Sequence, residues 1–182
     1  MRTASEARSV MDESALPGEL ERMHPASFGW ALWCCNHRRE EAEEVLQTTY
    51  LKILEGTARF DGKSSLRTWL FAVIRRTAME RRRRQWLRGQ IFDRWQASQP
   101  EAPFPPDPET VASATESSRA LLLALASLSA RQRDLLHLVF YHDMTVEEAS
   151  RILKVSLGTA RTHFQRGKRQ LRKILAETGG RK

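Results

Sequence analysis

Met144–Gln165, "MTVEEASRILKVSLGTARTHFQ", is the stretch whose reading decides the fold. Thr145, with Glu148 three residues on, is a capping box that opens a short helix; Val146, Ala149, Ile152 and Leu153 recur along it at helical spacing. The turn "KVS" interrupts that run and delivers Ser156 as the N-cap of a second helix. Two short helices joined so tightly, with small Ala149 where they approach, make a helix-turn-helix. On the second helix Leu157, Ala160, Phe164 and Leu171 share one face, and Thr159, Thr162, Arg166, Arg169 and Lys173 share the other. Hydroxyl and guanidinium groups on an outward face bond phosphates and base edges.

A second basic segment lies upstream at Ser65–Arg88, "SLRTWLFAVIRRTAMERRRRQWLR". Helical spacing places Leu66, Trp69, Leu70, Val73, Ile74 and Thr77 inward and turns Ala72, Arg75, Arg76, Met79, Arg82 and Arg83 outward. The arginines thus continue a face that begins within a packed helix, a phase that a basic tail would not keep. From Arg75 to Arg88 only Glu80 offsets the arginines, and so much like charge repels itself unless an anion neutralises it. Before this helix, "REEAEEVLQTTYLKILEG" carries Val45, Leu46, Thr49, Tyr50 and Ile53 at helical spacing, with acids at its start and Gly56 as its stop. "FDGKSS" links the two, and Ser64 or Ser65 is placed to cap the second.

The chain has 182 residues, 41% of them hydrophobic, and a net charge of +8. The charge is unevenly spread. Residues 1–50 carry 5 basic and 9 acidic side chains, 51–97 carry 12 and 4, 98–118 carry 0 and 4, and 119–182 carry 13 and 5. Two basic blocks around an acidic spacer point to two contact surfaces on one polyanion. The spacer, "SQPEAPFPPDPETVASATESS", holds five of the seven prolines and reads as an extended linker. No apolar run approaches membrane-spanning length, and the polar start lacks the pattern of a secretion signal. The only cysteines, Cys34 and Cys35, are adjacent and ill placed for a relaxed disulfide, so a cytoplasmic, reduced chain is expected.

With no period-two runs, the expected fold is all-α: two small helical domains joined by a proline-rich linker. The expected divisions are a polar extension at 1–22, a helical domain at 23–97, the linker at 98–118, a helix-turn-helix domain at 119–178 and a tail at 179–182.

Three segments in order carry a family resemblance: "EEAEEVLQTTYLKIL", "FDGKSSLRTWLFAVIRRTAMERRRR" and "LSARQRDLLHLVFYHDMTVEEASRILKVSLGTARTHFQRGKRQLRK". Over residues 25–175 the chain resembles the extracytoplasmic-function (group IV) sigma factors of the sigma-70 family, promoter-recognition subunits of bacterial RNA polymerase. The segments are similar to regions 2.1/2.2, regions 2.3/2.4 and region 4.

The resemblance implies binding to core RNA polymerase, promoter recognition, DNA melting and transcription initiation. It places Glu44 and Gln47 at the polymerase β′ clamp. It places Phe60, Ser64, Ser65 and Leu66 around an extruded base of the minus-10 element, and Arg75, Arg76, Glu80 and Arg83 on the adjoining promoter-facing helix. Ser156, Gly158, Thr159, Arg161, Thr162, His163 and Arg166 match the segment that reads the minus-35 element, in a domain that also touches the β flap. In this family the linker threads toward the RNA exit path, where Glu101, Asp107, Glu109 and Glu116 would mimic RNA charge. An anti-sigma factor is the implied regulator; neither membrane contact nor cofactor is implied, and the polymerase-bound form is a monomer. The chain departs from the family pattern at Thr48, where an acid is usual, at Arg76, where asparagine is common, and at His163, where basic residues are usual. Lys154 replaces the turn glycine and Ser156 the proline.

Other classes fit less well. A metal or redox site at Cys34, Cys35 and His37 lacks the two-residue gap of common zinc sites. A nuclease would need converging acids, whereas Glu40, Glu41, Glu43 and Glu44 fan around one helix. The stronger rival is a free-standing helix-turn-helix repressor or activator, which would normally dimerise on a palindromic site. No heptad seam for such a dimer is present.

Overall fold

The computed structural model describes residues 16–92, 121 and 124–179, and every regular element among them is helical. The chain divides into two compact units, Met1–Ala97 and Ser98–Lys182. The first contains α1 (Leu16–Cys34), α2 (Arg39–Leu54) and α3 (Leu66–Phe92). The second contains α4 (Ala130–Phe140), α5 (Val146–Leu153) and α6 (Leu157–Gly179), with residues 124–126 also helical. No described helix is long and apolar enough to cross a membrane. The linker 98–118 lies outside the described residues.

In the first unit each helix packs on the other two. Val45, Leu46, Thr49 and Ile53 of α2 are buried, as their spacing predicts, and Ser65 caps α3 by accepting from Thr68 N–H at 3.2 Å. The centre of the core is an α1 residue, Trp30, which is wholly buried. Its ring stacks on Phe71 with centroids 5.9 Å apart, and its Nε1–H donates to the Phe71 carbonyl at 3.0 Å. Pro25 inside α1 blurs the helix signal there, because proline removes one ladder hydrogen bond. The polar extension is also shorter than 1–22: α1 starts at Leu16 and buries Leu20, since its apolar stripe needs that turn to cover the core.

The inward face of α3 is turned from the one its spacing predicts. Leu70, Ile74 and Thr77 are buried, but Phe71, Ala78 and Thr68 join them, while Leu66, Trp69 and Val73 are only half-buried. Trp30 draws Phe71 inward, a preference that α3 alone does not encode. The chain passes from α1 to α2 through Asn36 and His37, both in the left-handed region (φ 53° and 62°). Buried Cys35 has its thiol pKa pushed up to about 11, chiefly by loss of solvent, which keeps it protonated and unreactive. Among the described residues no group of three or more His, Cys, Asp or Glu is placed to hold a metal ion.

In the second unit the capping box of α5 forms as its sequence predicts: Glu148 N–H donates to Thr145 Oγ1 at 3.1 Å, and Thr145 N–H to Glu148 Oε2 at 2.9 Å. A second box, Ser129 with Gln132, starts α4. Ala149, Ile152 and Leu153 are buried, but Val146, expected with them, is only half-buried, as the first residue of the helix. The point of closest approach includes Gly167, where an added Cβ would stand 3.2 Å from Gln132 Cβ and 3.3 Å from Leu136 Cδ1. Gly167 thus lets α6 cross α4 without separating them.

The turn between α5 and α6 depends on Lys154 in the left-handed conformation (φ 53°, ψ 49°). A side chain there costs about 1 kcal/mol that glycine avoids. Lys154→Gly is therefore expected to stabilise the second unit by about 1 kcal/mol in chemical denaturation. An unchanged or lowered midpoint would show that the turn holds no such strain.

Candidate nucleic-acid interface

α6 is amphipathic up to residue 176, and its packed side settles which residues remain outside. Ala160 and Gly167 are buried, whereas Gly158, Arg161, Thr162, Arg166, Arg169, Arg172 and Lys173 are exposed along one face. Arg172 joins this face beside Lys173, although it is not among the residues expected there from the sequence. Ser156 caps the helix by accepting from Thr159 N–H at 3.1 Å, and its hydroxyl lies 2.8 Å from that of Thr159. The Thr162 hydroxyl donates to the Gly158 carbonyl at 3.0 Å. Three of the hydroxyl groups expected to read DNA are therefore engaged within the helix, which leaves guanidiniums to dominate the outer face. His163 sits on the flank, half-buried, with Nδ1 buried and without a hydrogen-bond partner.

α3 offers the second basic surface. Arg76, Arg82, Arg83 and Arg84 are exposed, and Arg75 is half-buried with Nη1 3.2 Å from Met79 Sδ. Glu80, expected on this surface, has both carboxylate oxygens engaged. Oε1 accepts from Arg76 Nε at 2.9 Å and Oε2 from Lys52 Nζ at 2.7 Å. The hydrogen bond from Lys52, ahead of that from Arg76, holds the Glu80 carboxyl below the usual carboxylate range against the opposing effect of burial. Lys52 was not among the residues singled out in the sequence; pairing across two helices leaves no spacing to read.

The loop residues converge at the start of α3. Phe60 meets the edge of Trp69 with centroids 5.5 Å apart, and Trp69 N–H donates to the Ser65 carbonyl at 3.0 Å. The Ser64 hydroxyl donates to the same carbonyl at 3.2 Å, and Leu66 begins the helix. Trp69 is therefore the aromatic partner that the sequence reading placed in the core.

Glu44 and Gln47 are both exposed but line different clefts. Glu44 forms an ion pair with Arg81 of α3, beside a groove of about 300 Å³ that also includes Thr48 and Lys52. Gln47 faces the α1 side, in a cleft of about 410 Å³ with His24, Phe28, Leu46 and Tyr50. Leu51 and Leu54, 49% and 65% exposed, follow Gln47 on the same face of α2.

Comparison with known proteins gives this arrangement a family. Sigma-70 region 2 matches residues 20–88, and Sigma-70, region 4 matches residues 118–171. The RNA polymerase sigma factor YlaC of Bacillus subtilis is 29% identical over 146 residues, covering 78% of this chain and 82% of its own. The ECF RNA polymerase sigma factor SigX of the same organism is 30% identical over 139 residues, covering 74% and 71%. In fold, the chain is similar to the sigma factor RpoE of Bartonella quintana, solved with the anti-sigma factor NepR, at a TM-score of 0.67 and 23% identity, covering 89% and 97% of the two chains. It is also similar to CnrH, solved with the cytosolic domain of CnrY, at a TM-score of 0.57 and 16% identity over 92% and 91%. Both sigma regions are matched in their proper order and a 30% identical relative is spanned over most of its length, so the chain belongs to the extracytoplasmic-function sigma factors and acts as an alternative RNA polymerase sigma factor in transcription initiation.

Proposed function

We propose that the two basic helices read two promoter elements while α2 holds core polymerase. The carrying observation is that α3 and α6, in separate compact units, each expose a run of arginines. On this reading Arg75, Arg76 and Arg83 meet promoter DNA at the minus-10 element, and Phe60, Ser64, Ser65 and Leu66 surround its extruded base. Arg161 and Arg166 make the principal minus-35 contacts, with Ser156, Gly158, Thr159 and Thr162 presenting the start of α6 to the groove and His163 at its edge. Glu44 and Gln47 contact the β′ clamp, and the second unit touches the β flap. The protein works in the cytoplasm as a monomer on polymerase, without a cofactor and without catalysis of its own. One fold neighbour was solved with an anti-sigma factor, which supports a regulator of that kind here.

The deciding experiment mixes the purified chain with bacterial core polymerase, isolates the complex by size exclusion, and transcribes fragments of the source genome. Co-elution and new start sites sharing two spaced elements are the expected result. Failure to bind core, with tight binding to a symmetric duplex, would overturn the proposal.

Arg76 adds a charge where asparagine is common, and each phosphate contact steepens the salt dependence of binding by about 0.9 in log–log slope. Arg76→Asn is accordingly expected to flatten the slope by roughly that amount for polymerase-bound protein on its promoter. Equal slopes across a salt series would remove Arg76 from the phosphate contacts.

A further inference from the structure

We propose that Lys52 is a positioning residue for Arg76, acting through Glu80, and that Glu80 is a strut between them instead of a DNA reader. The proposal rests on the reading of Arg76 as a promoter contact.

Three side chains form a relay from α2 to the surface of α3. The Lys52 main chain is held at the end of α2, where its carbonyl accepts from Ala58 N–H at 2.8 Å and from the Thr57 hydroxyl at 2.9 Å. Its ammonium crosses to α3 and donates to Thr77 Oγ1 at 3.3 Å and to Glu80 Oε2 at 2.7 Å. Glu80 Oε1 then accepts from Arg76 Nε at 2.9 Å. Side-chain exposure rises along the relay, from 28% at Lys52 to 35% at Glu80 and 70% at Arg76. The anchored end lies inside and the presented cation outside.

The chemistry suits positioning. Arginine has five N–H donors in a rigid plane, and Glu80 uses the one on Nε. The Nη edge, with four donors, is left for a phosphate or a base edge, in a plane fixed by the carboxylate. The carboxylate would by itself repel a DNA backbone. Lys52 supplies the second cation that leaves the three groups with a net charge of +1. Without Lys52 the Glu80 carboxylate has one fewer anchor, and the Arg76 plane is free to turn with it. The same logic governs outer partners that orient ligating groups elsewhere.

The test is a double-mutant cycle in the full chain bound to core polymerase, titrated onto a labelled duplex of the promoter recovered from the genomic transcription assay, at about 0.15 M salt to damp long-range charge effects. Lys52→Met and Glu80→Gln are each made in the native chain and in Arg76→Ala, with Lys52→Arg as the conservative variant. Both are expected to weaken promoter binding about three- to tenfold in the native chain and less than about twofold once Arg76 is gone, with Lys52→Arg retaining most of the affinity. Losses of equal size in both backgrounds would overturn the proposal, since each residue would then act on its own. No loss in the native chain would overturn it too. An Arg76→Ala chain that binds the promoter as well as the native one would instead defeat the reading of Arg76 as a DNA contact, which is a distinguishable failure. Glu80→Gln remains informative should Lys52→Met fold poorly: a loss that disappears once Arg76 is gone supports the relay, and no loss, or a loss of the same size in the native and Arg76→Ala backgrounds, counts against it.

Discussion

Trp30→Ala is expected to destabilise the N-terminal unit by about 3–5 kcal/mol, enough to unfold it near room temperature if its stability is at the low end for small domains. Trp30 is wholly buried, lies face to face with Phe71 at an interplanar angle of 5°, and ties α1 to α3 by the bond to the Phe71 carbonyl. Truncation removes the largest buried side chain of the unit and leaves a cavity lined by two helices that cannot both collapse into it. Intrinsic fluorescence is a clean probe, because all five tryptophans, Trp30, Trp33, Trp69, Trp86 and Trp95, precede Ser98. Urea titration followed by the emission of the remaining four should show a much lower midpoint, and loss of core-polymerase binding should accompany it. A shift worth less than about 1 kcal/mol would mean that the stack is peripheral to the unit's stability.

Arg161→Ala and Arg166→Ala are each expected to reduce transcription from the native promoter roughly ten- to a hundredfold, since a bidentate arginine contact discriminates by about 1–3 kcal/mol. Both side chains are exposed on α6, so folding should change by no more than about 0.5 kcal/mol. The signature of specificity is that the penalty shrinks on a promoter whose minus-35 element has been altered. Ser156→Ala should behave differently. Its hydroxyl caps α6, so its loss is expected in stability, at about 1 kcal/mol, more than in promoter choice. If both arginine variants transcribe normally, the face of α6 does not read the minus-35 element.

Much of the C-terminal unit is legible in its sequence because its signals are local. A capping box, a helix stop and a cap all operate within four residues, and Thr145, Glu148 and Ser156 make the bonds their spacing requires. Lys154 is equally local: something must take the left-handed turn, and in this chain it is a lysine.

Thr159 and Thr162 have the chemistry of groove-reading residues, yet the Ser156 hydroxyl and the Gly158 carbonyl, three and four residues away, engage those hydroxyls. Other features depend on partners far apart in the chain. Glu80 reads as a lone acid in a basic helix until α2 brings Lys52 to it across 28 residues. Glu44 reads as a free surface acid until α3 brings Arg81.

By itself, the sequence determined the helical class, the two basic blocks with an acidic spacer between them, the helix-turn-helix, and a resemblance specific enough to name the family. Periodicity, capping and charge distribution are written in residue order, so they survive without coordinates. Only the tertiary structure decided which side of α3 faces the core, that Trp30 stands at its centre, that Gly167 is where α4 and α6 cross, and which charges near the exposed arginines of α3 are already paired. Packing and ion pairing depend on distances between helices, and a helix repeats its faces every 3.6 residues whatever its neighbours turn out to be.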